Sequence, residues 1–547
     1  MNDRAESIIR KTISPRERFL VISVILLGAI LRIYFALNKN IIFIDEGSII
    51  DRISKDLIGN LKTLKHNENI YPQILWLIFH NIGVDFLIKN PFVIRIPSVV
   101  IFSVSIYFFY KVSRSFFNFS VSFATLILSS FSFFLIDTSF EPRGYILGGL
   151  FIFLSVYFSS NIYLSALFFV LASACHISSF FYLPFAIYIH LVRYRKLNRS
   201  VLFFISVNVF FTFLSHVLFL IFGEKYYLSL VPESQGNLIS VFLSSIYTFS
   251  GTKLLGWIFL FLFIVGLIYA NRVERLFVLS GFVSYFLILF SELMNPILQY
   301  FLVKHAFISC IFFYLGVCYG ANYIASLIFG YKAKHVLLSL FVLVFTFANL
   351  SSRFLWSDYG LSSPFSPKGI LERKKGELNG VVVYFDPMFI TRGVGTLFFQ
   401  WHIIDLDVKF FVDRNFSYFL KFNGENDILR KQWIYEDDLR KLENVKFFVF
   451  FPAALPKFYD ELNSIEWWAG DYEKEFYSIA NLLKKYAEQK YGIEIDYSFG
   501  IFFFERYINT KNIKTEIEII RDVVSDLFIE FVSLHHRIPK NERISSQ

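Results

Sequence analysis

The sequence predicts a polytopic all-α membrane protein with about eleven transmembrane helices, followed by a C-terminal extracytoplasmic α/β domain. Of its 547 residues, 55% are hydrophobic and 20% are aromatic, which is more apolar surface than a soluble domain can bury. Apolar runs of spanning length recur from residue 19 to about residue 354, and charged residues become frequent again from Leu371 onwards. That change in composition is the main predicted domain boundary.

The predicted domains follow these runs. Residues 1–18 form a cytoplasmic N terminus, 19–354 the transmembrane domain with a first outer loop at 38–92, 355–510 the α/β domain, and 511–547 a C-terminal helix and tail. A spanning helix needs about 20 mostly apolar residues. The predicted spans are 19–37, 93–110, 121–136, 145–158, 162–174, 178–191, 201–222, 254–270, 276–290, 303–324 and 336–350.

Basic residues set the predicted orientation, because short basic loops face the cytoplasm. Arg10, Lys11, Arg16 and Arg18 precede the first span, which we expect to be a retained anchor since no small-residue cleavage pattern follows it. The first outer loop and the C-terminal domain then lie outside. This clustering also explains the net charge of +9, so we exclude a nucleic-acid partner. The later inner loops contain Lys111, Arg114, Arg193, Arg195, Lys196, Arg199, Arg272, Arg275, Lys332 and Lys334.

The first outer loop contains two apolar segments. In residues 49–64, apolar side chains recur at helical spacing between charged ones, which predicts an amphipathic helix along the membrane interface. Residues 71–82 form a second apolar piece, which is too short to span.

The C-terminal region changes to short alternating or buried runs. Residues 381–385, 408–412, 446–451 and 499–505 predict strands. Phe476, Ile479, Leu483 and Tyr486 mark one face of a helix that ends near Gly492. A final amphipathic helix carries Ile520, Val523, Leu527, Phe531 and Leu534 on one stripe, and we expect the tail at 539–547 to be disordered.

Two polar groups on the predicted outer face are candidates for chemistry. Asp45 and Glu46 follow the first span, where a carboxylate can act as a general base on a hydroxyl or can simply favour a helix N terminus. Glu141, Arg143 and Tyr145 stand at the start of another span. The planar guanidinium of arginine suits phosphate, although Arg and Tyr are also common interfacial anchors.

Three further ionisable residues stand at the ends of predicted spans. His176 separates two apolar runs, and Lys304 and His305 follow Tyr300 at the start of another run. Ionisable residues at such positions are functional candidates, with a structural histidine or a snorkelling lysine as the alternative.

The cysteine pattern contains no metal-binding or disulfide framework. Cys175, Cys310 and Cys318 all lie in apolar segments, and their spacing matches no ligand motif. We therefore predict no dedicated metal site.

Several of these pieces, taken in order, resemble the bacterial GT-C glycosyltransferases that use polyprenyl-phosphate sugars, a group akin to the dolichyl-phosphate-mannose–protein mannosyltransferases and the lipid A aminoarabinose transferases. The likeness covers roughly residues 19 to 310. Gln73 stands where many relatives carry a second proline, and Gln299-Tyr300 where many carry Arg before Tyr. The similar segments are Asp45-Glu46, Asn69-Ile70-Tyr71-Pro72, Arg95-Ile96-Pro97-Ser98, 111–117, Glu141-Pro142-Arg143-Gly144-Tyr145 and 176–184.

The resemblance implies a transferase in the bacterial cytoplasmic membrane with its active site outside. The donor would be a polyprenyl-phosphate sugar, and the acceptor a hydroxyl of a glycolipid, glycan or protein. Asp45 would be the general base, and Glu46 would position the acceptor or assist the base. Arg143, Lys304 and His305 would contact the lipid phosphate. Glu141, Tyr145, His176 and Tyr300 would complete the substrate site. A divalent cation stays open as a cofactor, because some relatives bind one.

Three other functional classes compete with this interpretation. A flippase-type transporter should carry ionisable residues near the middle of its spans and often shows paired halves. A lipid-linked glycan polymerase or ligase is also polytopic, but it does not need the acidic pair after the first span. A purely structural membrane protein leaves the one-sided clustering of polar residues unexplained.

Overall fold

The computed structural model describes residues 13–38, 44–56, 70–222, 238–294, 303–357, 381–385, 408–411, 433–442, 444–452, 471–498 and 501–537. The chain divides into two compact units. The first lies within residues 1–40, 48–225 and 245–354, and the second within 41–47, 226–244 and 355–547. Across the described residues the protein is mostly helical, with one small sheet.

Fifteen α-helices precede the sheet in the described part of the chain. The first eight are α1 Pro15–Asn38, α2 Ile44–Ser54, α3 Ile70–Phe79, α4 Val84–Lys89, α5 Phe92–Phe116, α6 Phe119–Phe131, α7 Phe133–Ser139 and α8 Gly144–Tyr157. The next seven are α9 Ile162–Cys175, α10 Leu183–Tyr194, α11 Arg199–Phe222, α12 Leu238–Ser250, α13 Lys253–Tyr269, α14 Arg272–Met294 and α15 Phe307–Ser357.

Side-chain caps explain why several of these helices begin where they do. The Oδ1 atoms of Asn118 and Asn161 accept hydrogen bonds from the backbone N–H groups of Val121 and Leu164, at 3.0 and 3.1 Å. These caps satisfy backbone donors that the first helical turn leaves without partners. They allow short polar turns to separate long apolar helices.

Four helical segments among the described residues are long and apolar enough to cross a membrane: Pro15–Leu37, Phe92–Phe116, Arg272–Ser291 and Lys304–Ile328. Two bent pairs raise this number to six if each pair forms one span. Shorter apolar helices, α8 and α9 among them, lie at the positions of other predicted spans. A polytopic helical membrane protein fits these findings, and the count of about eleven spans stays a prediction.

The structure differs from the predicted spans at two places. The span predicted at 121–136 is two helices, α6 and α7, bent by 60° at Ser132, whose backbone is extended. The spans predicted at 303–324 and 336–350 belong to α15, which is interrupted at Gly330 with φ 68°. Only glycine adopts that backbone conformation readily, so the interruption follows from the residue itself. Helix α12 was not predicted.

Close helix packing holds the first unit together where side chains are small. A Cβ atom on Gly320 would lie 2.0 Å from the carbonyl oxygen of Leu262, and one on Gly266 would lie 2.2 Å from that of Gly316. Helices α13 and α15 therefore meet backbone to backbone, as small residues permit in membrane helices.

The second unit contains a six-stranded sheet. Its strands are β1 Val381–Phe385, β2 Lys409–Phe411, β3 Trp433–Ile434, β4 Asn444–Pro452, β5 Asp496–Ser498 and β6 Ile501–Asn509. The spatial order is β3-β2-β1-β4-β6-β5. Strands β3, β2, β1 and β4 pair parallel with one another in that order, and β6 pairs antiparallel with both β4 and β5. The four predicted strands correspond to β1, β2, β4 and β6, with shifted ends for all but β1.

Two long helices cover one face of this sheet. Helix α16 is Glu436–Leu439, α17 is Asp471–Tyr491 and α18 is Ile513–Arg537. The stripe residues Ile479, Leu483, Ile520, Val523 and Leu527 are all buried in the core that also contains alternate residues of β4 and β6. Gly492, with φ 65°, ends α17 as predicted. The predicted disordered tail lies outside the described residues.

Candidate functional site

The acidic pair lies in the first turn of α2. Asp45 is the second residue of this helix, a position where the positive end of the helix dipole stabilises an acidic side chain. Glu46 is only 1% exposed, and the Asp45 side chain lies outside the described part of the structure. Both residues belong to the second compact unit.

The amphipathic segment after this pair is a helix only as far as Ser54 among the described residues. Its apolar positions Ile49, Ile50 and Ile53 are buried within the protein. Asp51 is also buried and pairs with Lys55 at 3.1 Å. The charged side of α2 is therefore partly covered, unlike that of a helix lying free on a membrane surface.

A second group, in the first unit, is centred on the carboxylate of Glu141. One oxygen, Oε2, accepts a hydrogen bond of 2.5 Å from the hydroxyl of Tyr145 and an ion-paired hydrogen bond of 2.9 Å from Nζ of Lys304. The Glu141 and Lys304 side chains are 20% and 22% exposed. They are covered enough to hold one geometry and open enough to meet a ligand.

Two histidines complete this group. The rings of His176 and His305 lie 4.6 Å apart, and each lies 5.7 Å from the ring of Tyr145. Nδ1 of His176 accepts a hydrogen bond from the backbone N–H of Ser178 and lies 2.7 Å from its hydroxyl. A neutral His176 with Nδ1 as acceptor carries its proton on Nε2. We call Glu141, Tyr145, His176, Lys304 and His305 the rim cluster.

Each polar residue of the rim cluster lies at or beside the start of a helix. Glu141 and Tyr145 lie on either side of the N-cap of α8, which is Arg143, and His176 is the N-cap of the 3-10 helix Ile177–Tyr182. Lys304 and His305 lie in the 3-10 helix Val303–Ala306, directly before α15. Lys304 and the neighbouring Arg143 are the basic side chains of this region, and each can donate hydrogen bonds to an anionic group.

The structure thus brings together most of the predicted site residues of the first unit. Arg143 is half-buried with an extended backbone, and its N–H donates to the carbonyl oxygen of Glu141 at 2.8 Å. Tyr300 lies outside the described residues. Sequence reasoning missed Ser178, which orients His176, and Phe307, whose ring lies 5.9 Å from that of Tyr145. Their proximity to His176 and Lys304 along the chain was the available signal.

Other segments that carry the family resemblance have structural contacts. The hydroxyl of Tyr71 lies 2.6 Å from that of Ser98, which joins α3 to α5. Arg95 is fully buried and donates from a guanidinium nitrogen to the carbonyl oxygen of Ala36 at 2.9 Å, near the end of α1. A cation at a helix C terminus is favoured by the dipole. These residues fix helix positions in the described structure.

In the described part of the chain, no three His, Cys, Asp or Glu side chains gather closely enough to hold a metal ion. The rim cluster instead offers a lysine, two imidazoles, a phenol and a carboxylate. Such a set can bind an anionic group and hydrogen-bond a polar one beside it.

No protein-family model and no curated protein matches this sequence.

Proposed function

We propose that the protein is a GT-C-type membrane glycosyltransferase. It moves a sugar from a polyprenyl-phosphate donor to a hydroxyl of a glycolipid, glycan or protein. The reaction takes place on the outer face of the bacterial cytoplasmic membrane, in a domain of about eleven spans, with the α/β domain on the same side.

The rim cluster is the observation that carries this proposal. Breaking the bond between a sugar and a lipid phosphate leaves negative charge on the phosphate oxygen, and fixed cations stabilise that charge. Lys304 is such a cation, and the imidazoles of His305 beside it and of His176, far away in the sequence, can donate hydrogen bonds to the phosphate. Arg143 precedes α8 in the same segment as Glu141. These groups suit a phosphate at the end of a lipid chain.

The base of the proposed reaction is Asp45, which we take from the sequence resemblance. A carboxylate accepts the proton of the acceptor hydroxyl as its oxygen attacks the anomeric carbon. The lipid phosphate then leaves with the bonding electron pair. Glu46 assists by positioning the acceptor, and the burial of Glu46 is compatible with a role that needs a fixed orientation.

Direct assay of transfer tests the proposal. The full chain, purified in detergent, is mixed with polyprenyl-phosphate sugars and an envelope extract, and the release of polyprenyl phosphate is followed by mass spectrometry. Lys304→Gln should reduce release strongly. Lys441→Gln should not, because Lys441 forms an exposed pair with Asp438 in the second unit. Failure of every donor to react, or equal loss in both variants, contradicts the proposal.

A transporter is the second candidate, and the bent helix pairs are the observation that favours it. Discontinuous helices near the membrane midplane form substrate sites in many transporters. Here α6 and α7 bend by 60°, and the pair Val241–Ser250 and Lys253–Tyr269 bends by 97°. Reconstituted vesicles that move a labelled lipid-phosphate sugar across the bilayer without consuming it would favour this alternative.

A further inference from the structure

The carboxylate of Glu141 stands in a region otherwise suited to anions. Its oxygen Oε2 accepts from Lys304 at 2.9 Å, and Lys304 lies 163 positions further along the chain. Arg143 follows Glu141 closely in the chain, His305 directly follows Lys304, and the rings of His176 and His305 lie 4.6 Å apart. An anionic ligand that uses Lys304 must therefore compete with a carboxylate that already holds it.

Tyr145 makes this competition possible without leaving the carboxylate unsupported. Tyr145 as a whole is 1% exposed, and its ring lies 5.7 to 5.9 Å from the rings of His176, His305 and Phe307. Its hydroxyl donates to the same Oε2 atom at 2.5 Å. The stem of Lys304 is flexible, so its ammonium group can turn towards a ligand. The ring of Tyr145 is packed in place, so its hydroxyl keeps donating to Glu141.

Repulsion from Glu141 grows with the charge of the ligand. Under the proposed function, the donor is a phosphodiester with one negative charge. Transfer breaks the bond between the anomeric carbon and a phosphate oxygen, which keeps the electron pair, while the acceptor proton passes to the base. The lipid product is then a phosphomonoester with about −1.5 to −2 charge near neutral pH.

We propose that Glu141 selects against the phosphomonoester product and so promotes its release. This inference rests on the proposed function and deepens it. Lys304 shifts from Glu141 to the ligand phosphate on binding, and the Tyr145-held carboxylate then repels the more highly charged product more than the donor. Tyr145 is a positioning residue in this arrangement, because it acts on the ligand through Glu141.

Two simple amphiphiles test the inference at pH 8: dodecyl phosphate, a monoester, and dodecyl methyl phosphate, a diester. Binding to the full chain in detergent is measured by calorimetry. The wild-type protein should bind the two within about threefold of each other, because Glu141 offsets the added charge of the monoester. Glu141→Gln should bind the monoester about tenfold more tightly and the diester about threefold more tightly.

The matched control is Asp438→Asn, which removes a carboxylate from the exposed Lys441 pair in the second unit and should leave both affinities unchanged. Equal tightening of both probes in Glu141→Gln, or weaker binding of both, overturns the inference. So does a wild-type preference for the monoester of tenfold or more, a measurement that needs no variant to fold. Absence of binding by either probe to the wild type also overturns it.

The two proposals fail in different ways. If Glu141→Gln changes the monoester-to-diester ratio but no donor transfers its sugar, Glu141 remains a charge selector and the glycosyltransferase proposal falls. If transfer occurs with an unchanged ratio, only the role of Glu141 falls.

Discussion

The hydroxyl of Tyr314 lies 2.7 Å from Oγ of Ser132 and donates to the carbonyl oxygen of Phe249 at 2.5 Å. Ser132 is the break between α6 and α7, and Phe249 lies at the end of α12. One buried phenol on α15 thus bonds to both bent helix pairs. A bent helix leaves backbone carbonyls without helical partners, and Tyr314 satisfies one of them.

Tyr314→Phe should lower stability by about 1–3 kcal/mol, because it leaves a buried carbonyl and a buried hydroxyl without their partner. Thermal unfolding in detergent measures this effect. Tyr163→Phe is the matched control, since Tyr163 is 72% exposed and loses little on removal of its hydroxyl. Equal melting temperatures for the wild type and Tyr314→Phe would show that the phenol does not hold the breaks.

Asp45→Asn tests the proposed base. It keeps the size of the side chain and removes its charge, so turnover should fall about 10²-fold or more while thermal stability stays nearly unchanged. Asp85→Asn, at an exposed position in α4, is the control. Full activity in Asp45→Asn would move the role to Glu46 or end the base assignment.

Arg143→Lys separates a phosphate ligand from an interfacial anchor. Lysine keeps the long stem and the charge but lacks the two-pronged donor, so donor affinity should fall by about 1.5–3 kcal/mol while membrane insertion is normal. Donor titration of the purified protein measures the loss. Arg272→Lys, at an exposed position at the start of α14, should bind the donor like the wild type. Unchanged affinity in Arg143→Lys would leave the residue an anchor.

Membrane orientation can be tested by labelling single cysteines. The native Cys175, Cys310 and Cys318 are buried and are first replaced. Cysteines at positions 48 and 363 should then react with an impermeant reagent from outside, and one at 198 should not, because basic loops stay in the cytoplasm. Labelling at 198 but not at 48 would invert the topology and remove the case for an outward-facing active site.

A pH prediction follows from Asp526 on α18. Its carboxylate accepts hydrogen bonds from Tyr486, Lys490 and Tyr491 on α17. Burial alone would raise the pKa of Asp526, but the hydrogen bonds from Lys490, Tyr491 and Tyr486 outweigh it and lower the pKa below its usual 3.8. A lowered folded-state pKa stabilises the protein above pH 3.8, and this contribution is lost as the pH falls through the folded-state value.

Asp526→Asn should therefore melt below the wild type by roughly 2 °C at pH 7, and the difference should shrink as the pH falls below about 4. Melting curves of both proteins from pH 7 to pH 3 measure it. Asp522→Asn, one turn earlier on α18, provides the control. A difference that grows on acidification would contradict the sign.

Periodicity and turn chemistry were sufficient for local structure. The strand at 381–385 has its predicted bounds, and α17 ends at Gly492 because a positive φ suits glycine. The bend at Ser132 was missed, and its side-chain partner there, the hydroxyl of Tyr314, is 182 positions away in the chain. Helix α12 was also missed, because its polar residues leave no apolar run as long as a membrane-spanning helix needs.

By itself, the sequence determined the mostly helical class, the apolar helices long enough to cross a membrane and the ionisable residues at the ends of those helices, because these depend on composition and local spacing. Only the tertiary structure decided that Lys304 pairs with Glu141 and that His176 faces His305. Those contacts depend on how helices far apart in the chain pack against one another, and close-range electrostatics exist only after that packing has brought the charges within a few ångströms.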